Sequence, residues 1–118
     1  MEKKKFLKKL KDANGVLDVE RCTEVISKSV EESKKLDESG QYNSIIVMEE
    51  LGELAQQVSK ALRNQLDKDA LLEEMADVFI SIWTLQKIYD ISKEELSKAV
   101  NVKIDRINKT LEKEGIYK

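Results

Sequence analysis

Glu49-Glu50-Leu51-Gly52-Glu53 and Glu73-Glu74-Met75-Ala76-Asp77 are two copies of one acidic pattern. A shift of 24 residues, from 49 to 73, lays the second on the first. Glu49 then meets Glu73, Glu50 meets Glu74 and Glu53 meets Asp77. The apolar neighbours agree as well: Leu51 with Met75, Leu54 with Val78, Val58 with Ile82. Read as helix, each copy sets two carboxylates at i and i+3 on one face. At about 100° per residue, Leu51, Leu54, Val58 and Leu62 fall about 40–120° to one side of Glu50, and Glu53 about 60° to the other. Met75, Val78, Ile82 and Tyr89 stand in nearly the same relation to Glu74, again with Asp77 about 60° to the other side. Both acid pairs therefore border an apolar stripe along the same edge. Antiparallel packing about a local two-fold would turn the pairs toward each other across a groove. Gly52 and Ala76 occupy matching places between the acids. A mid-helix glycine costs about 1 kcal/mol relative to alanine, so a close approach is expected at Gly52.

Outward from this pair, every segment reads as helix, and none alternates with the period of a strand. A short basic amphipathic helix is expected over 2–11, ended by Ala13-Asn14-Gly15, with residues 1–16 forming that helix or a flexible arm rather than a membrane contact. Asp18 is placed to cap a helix reaching Leu36. A third helix is expected from Gln41 to about Arg63, a polar turn over Asn64–Lys68, and a fourth helix from about Asp69 to Tyr89. Ser92 with Glu95 spells a capping box for a fifth, ending at Gly115. Leu96, Val100, Ile104, Ile107 and Leu111 form its apolar stripe, expected to serve the core. Short turns between long helices imply antiparallel neighbours, so the fold class is an all-α antiparallel helical bundle, one domain over 1–118 with the acidic motifs in a core at 41–111. The fourth helix is apolar around more than half its circumference, more than a chain of this size can cover, so a homo-oligomer is expected. Trp83, on the opposite side of its helix from Glu74, is assigned to a subunit interface.

Composition narrows the function. Apolar residues make up 41% and charged residues 37%, with no proline, which suits solvated helices around a modest core. A net charge of −2 speaks against a general nucleic-acid binder. No apolar run is long enough for a membrane span. The single Cys22 has no partner for an internal disulfide and fits a small core residue in a reducing cytoplasm.

Four clustered carboxylates repel one another unless a cation sits among them. Magnesium or manganese, hard cations with octahedral oxygen shells, would neutralise Glu50, Glu53, Glu74 and Asp77 while leaving positions for water and phosphate. A di-iron carboxylate bundle normally needs Glu-x-x-His on two helices, and the chain has no histidine. No nucleophilic triad, Walker loop or dinucleotide fingerprint is present. Lys60 lies near the acid face two turns beyond Glu53, within reach of a phosphate tail. Asn43, two turns before Glu50 and facing the same way, is a candidate contact for a base or sugar.

The spaced pattern Glu-Glu-x-x-Glu and Glu-x-x-Asp, here Glu49-Glu50-Leu51-Gly52-Glu53 and Glu74-Met75-Ala76-Asp77, resembles the MazG-like all-α nucleoside triphosphate pyrophosphohydrolases. The resemblance is close from about Gln41 to Leu111. It implies Mg²⁺ binding by Glu50, Glu53, Glu74 and Asp77, hydrolysis of an NTP to NMP and pyrophosphate, and a dimer or a dimer of dimers. It also implies phosphate contacts from Lys103 and Arg106 on the last helix, since relatives place a Lys and an Arg there. Relatives often carry Gln where this chain has Asn43. Glu49, about 40° from Glu53, suits a base or a water-orienting acid. Phosphoribosyl-ATP pyrophosphohydrolase is the alternative enzyme. A non-catalytic helical bundle that binds a partner or buffers metal is the alternative of another class.

Overall fold

In the computed structural model, residues 3–115 are described and form five helices: α1 Lys3–Asp12, α2 Val19–Leu36, α3 Gln41–Leu62, α4 Lys68–Ile88 and α5 Lys93–Lys113. Residue 2, the expected start of the first helix, lies outside the described residues. Local chemistry explains most of the boundaries. The Asp18 carboxylate accepts from the Arg21 backbone N–H at 3.1 Å and caps α2. Asp67 does the same for α4 through Ala70 N–H at 3.1 Å. Helix α4 therefore starts at Lys68, inside the stretch read from sequence as a polar turn. Its true cap is one residue before that start, in a run where Asp67 and Asp69 compete as signals. Ser92 and Glu95 form the reciprocal box at the start of α5, at 3.0 and 3.2 Å. Asn64 and Asp90 take left-handed backbone just beyond α3 and α4, with φ of 59° and 53°. These two residue types tolerate that region better than other side chains do.

The α2–α3 corner is built differently. Gly40, at φ 75°, stands at the N-cap of α3 with no side chain to accept a hydrogen bond. The Asp37 carboxylate supplies the missing acceptor instead, taking the Ser39 hydroxyl at 2.7 Å and the backbone N–H groups of Ser39 and Tyr42 at 3.1 Å. These bonds, led by the Ser39 hydroxyl, hold its pKa below the usual carboxylate range. A Cβ on Gly40 would lie 2.8 Å from Ile88 Cγ2, so the corner closes directly onto the last turn of α4.

Helices α3 and α4 pack along their length as an antiparallel pair, and α2 lies across both, mainly on α4. Ser44 Oγ and Tyr89 Oη, 2.8 Å apart, tie the start of α3 to the end of α4. The buried apolar side chains are Ile26 and Val30 of α2 and Val47 of α3, with Val30 only 1% exposed. Helix α5 makes only scattered contact with the rest, and none of its side chains is buried. Its stripe, expected in the core, is open: Val100, Ile104 and Ile107 are each about half exposed. The stripe beside the acids is open too, at Leu51, Val58, Leu62, Met75 and Ile82. The periodicity marks apolar faces, but among the described residues burial is confined to the α2–α3–α4 seam. Cys22 is half-buried and free, rather than a core residue. No helix among the described residues is long and apolar enough to cross a membrane.

Candidate functional site

The acidic motifs meet at the middle of the α3–α4 pair. One carboxylate oxygen from each of Glu50, Glu74 and Asp77 lies within 4.8 Å of the others. Glu53 completes the group through a carboxyl–carboxyl contact with Glu74, as Asp77 does with Glu50. The four acids read from the 24-residue repeat thus converge. The antiparallel crossing inferred from the equal placement of each pair beside its stripe is the one observed. No further acid from another helix joins the trio among the described residues.

Burial and mutual repulsion set the electrostatics. Glu50 and Glu74 are half-buried, and each has one oxygen, Oε2, sealed from water with no hydrogen-bond partner. Desolvation is the main reason the Glu74 carboxyl is pushed up to about 7; the contact with Glu53 follows, then the charges of Glu53, Asp77 and Glu50. Glu50 is raised as well, by desolvation first and then by Asp77, Glu53 and Glu49. Among the described residues no ion pair relieves the cluster. The ion pairs Lys35–Glu32 and Lys87–Glu31 lie away from it, on the exposed surfaces of α2 and α4.

These features fit a hard divalent cation. An orphaned buried carboxylate oxygen costs stability in protein alone and becomes a ligand when a cation arrives. Oxygens on a magnesium shell are about 3 Å apart when adjacent and about 4.2 Å when opposite, so a trio within 4.8 Å must draw in to share one ion. Glu50, Glu74 and Asp77 would hold the ion, with Glu53 beside them. The donors are all oxygen, the set that suits Mg²⁺ or Mn²⁺ rather than zinc or copper.

Residues 39–111 match the family model of the MazG nucleotide pyrophosphohydrolase domain. The chain belongs to the MazG family. The match takes in all of α3 and α4 and most of α5, and so includes both acidic motifs. No curated protein and no solved structure matches the chain at a significant level. MazG proteins generally depend on a divalent metal, in keeping with the acid trio found here.

The other residues singled out from the sequence are placed as follows. Glu49 is exposed, one residue from Glu50, and near enough that its charge raises the Glu50 pKa. Asn43 is buried near the start of α3, 7% exposed, with its amide Nδ2 lacking a partner. Lys60 is exposed on α3, about 10 Å along the helix axis from Glu53. Lys103 and Arg106 are exposed on α5 and are not gathered with the acids in this chain. The first turns of α5 instead border the face of α4 that carries Trp83 and Gln86, opposite the acids. Gly52, expected to admit a close neighbour, has nothing within 4 Å of where a Cβ would stand. Its position between Glu50 and Glu53 faces open space.

Proposed function

We propose that this MazG domain is a Mg²⁺-dependent pyrophosphohydrolase that cleaves a (d)NTP to (d)NMP and pyrophosphate. The observation that supports it most is the pair of partnerless buried oxygens on Glu50 and Glu74, set beside Asp77 and Glu53. A bound Mg²⁺ supplies Lewis acidity toward phosphate oxygens and water. Glu50, Glu53, Glu74 and Asp77 hold it and, by crowding, concentrate negative charge that only a cation relieves. Glu49, exposed beside Glu50, would orient the attacking water or act as its base. Asn43 offers an unfilled amide donor to a sugar or base carbonyl. Lys60, Lys103 and Arg106 are the candidate partners of the phosphate tail. The unpaired thiol of Cys22 fits a reducing cytoplasm as the place of action.

Pyrophosphate release from a panel of (d)NTPs with Mg²⁺, run beside Glu50→Gln, tests the reading. Metal-dependent turnover that the variant loses is the expected result. Silence across the panel from a folded protein that still binds Mg²⁺ would overturn the (d)NTP assignment and leave phosphoribosyl-ATP as the next substrate to try. Silence without metal binding would leave a non-catalytic bundle.

A further inference from the structure

Charge is unevenly divided along the chain. The first twelve residues hold six lysines against two acids, whereas the residues beyond Asp12 hold 15 basic and 21 acidic groups, net −6. The lysines belong to α1, where Lys4, Lys5, Lys8, Lys9 and Lys11 are all exposed. Among the described residues none of these five forms an ion pair. Helix α1 also makes no extensive contact with α2, α3 or α4.

Directly after α1 comes a loop of a different character. At about 100° per residue, Phe6, Leu7 and Leu10 share one arc of α1; Phe6 and Leu7 are half-buried and Leu10 is exposed. In the six-residue loop between α1 and α2, the Val16 backbone N–H donates to Asn14 Oδ1 at 3.0 Å. This Asx-type turn fixes the chain just where its apolar residues stand. Val16 is 75% exposed and Leu17 54%. Two aliphatic side chains held in water beside a run of lysines gain nothing from that solvent.

We propose that α1 and the Val16–Leu17 loop together form a peripheral contact for an anionic lipid surface. The lysines supply the attraction, each strengthening binding to such a surface about fivefold. Val16 and Leu17 supply the second element by burying apolar side chains among the headgroups. Neither is enough alone, because one short element binds marginally and stable attachment takes two signals. Read by itself the helix therefore suggests a free arm, and the loop changes that assignment. The net −6 beyond Asp12 is repelled by the same surface, so only the α1 end can approach it. A nucleic acid would satisfy the lysines equally but would give Val16 and Leu17 no partner, since it is bound through cations, polar groups and stacked rings. None of this depends on the acid site or on its reaction.

Flotation of the full chain with vesicles of phosphatidylglycerol and phosphatidylcholine in equal parts, against phosphatidylcholine alone, reads the outcome. The wild type is expected to float with the anionic vesicles only. It should be largely released in about 1 M salt, where the Debye length falls to about 3 Å. The triple variant Lys4→Gln, Lys8→Gln, Lys11→Gln is expected to bind about a hundredfold more weakly. Val16→Ser with Leu17→Ser is expected to lose at least about tenfold. Lys28→Gln, Lys98→Gln, Lys109→Gln removes the same charge from exposed positions on α2 and α5 and is expected to leave binding unchanged. A wild type that ignores anionic vesicles, equal binding to both vesicle types, or affinity that survives loss of the α1 lysines or of the two aliphatic side chains would each overturn the proposal. So would a single-stranded oligonucleotide that the wild type and the Val16, Leu17 variant bind equally well and in preference to the vesicles. Should either variant fail to fold, Val16→Cys in a Cys22→Ser background, carrying an environment-sensitive fluorophore, decides. A blue shift on anionic vesicles is expected, and an unshifted spectrum refutes the contact.

Discussion

Removing an acid from the candidate site should stabilise the metal-free protein. Glu74 is the residue to change, because its carboxyl is pushed up from 4.5 to about 7 by burial and by Glu53, Asp77 and Glu50. A folded-state pKa above the unfolded value means that the native state holds the proton more tightly. The contribution of this group to stability is fully present below about 4.5 and is lost as pH rises through about 7. At about 1.4 kcal/mol per pH unit, that interval corresponds to about 3 kcal/mol by pH 8. Glu74→Gln keeps the shape of the protonated acid and never ionises. In EDTA at about pH 8 it should be more stable than wild type by up to that amount, a rise in Tm on the order of 10 °C for a domain of this size. The gap should close as pH falls to about 4.5. Excess Mg²⁺ should then reverse the ranking, since the ion stabilises only the chain that retains its ligand, by about 4.1 kcal/mol at a thousand times Kd. Thermal unfolding at fixed protein concentration, with EDTA or Mg²⁺, measures all four corners. A variant no more stable than wild type in EDTA at about pH 8, or an equal Mg²⁺ gain in both proteins, would refute the account of crowded, cation-seeking acids.

Mg²⁺ affinity should rise with pH up to about 7 and then level off, with protons released on binding, because Glu74 and Glu50 must ionise to ligate; calorimetry in buffers of different ionisation heat counts those protons. Gly40→Ala sets a Cβ 2.8 Å from Ile88 Cγ2 at φ 75° and should cost about 2 kcal/mol, read from urea unfolding. Val30→Ala, at the most buried side chain, should likewise cost about 2 kcal/mol and leave Mg²⁺ affinity unchanged, since the site lies on other helices.

The acid cluster was legible because it depends on two regularities that sequence records directly: helical spacing and repetition. Glu50, Glu53, Glu74 and Asp77 each sit at a computable angle from an apolar stripe, and packing two such helices leaves few ways for the pairs to lie. The capping box at Ser92 and the cap at Asp18 were legible for the same reason, being contacts within four residues. What the spacing of Leu96, Val100, Ile104 and Ile107 does not contain is the identity of the surface that covers them. A stripe encodes a demand for burial, and a neighbour in the same chain or in another satisfies it equally. Gly52 misled in a related way. Its missing side chain signals space, but only the arrangement of other helices determines whether anything fills it. The start of α4 is off by one residue because Asp67 and Asp69 stand two apart and either carboxylate suits a cap, whereas the Ala70 N–H bonds to Asp67.

The contact between Gly40 and Ile88 can be seen as the fulcrum of the acid site. From it, α3 runs ten residues to Glu50, about 15 Å, and α4 runs eleven back to Asp77, about 16.5 Å. The two arms are nearly equal, and for that reason acids far apart in sequence arrive level with one another. Inserting a single residue in either arm lengthens it by about 1.5 Å and swings its carboxylates by about 100°, out of reach of their counterparts. The turn at 63–67 closes the other end of the same pair but sets neither length. Over evolutionary time the segments 41–49 and 78–87 should therefore keep their residue counts even where their side chains drift, while the turn is free to grow or shrink.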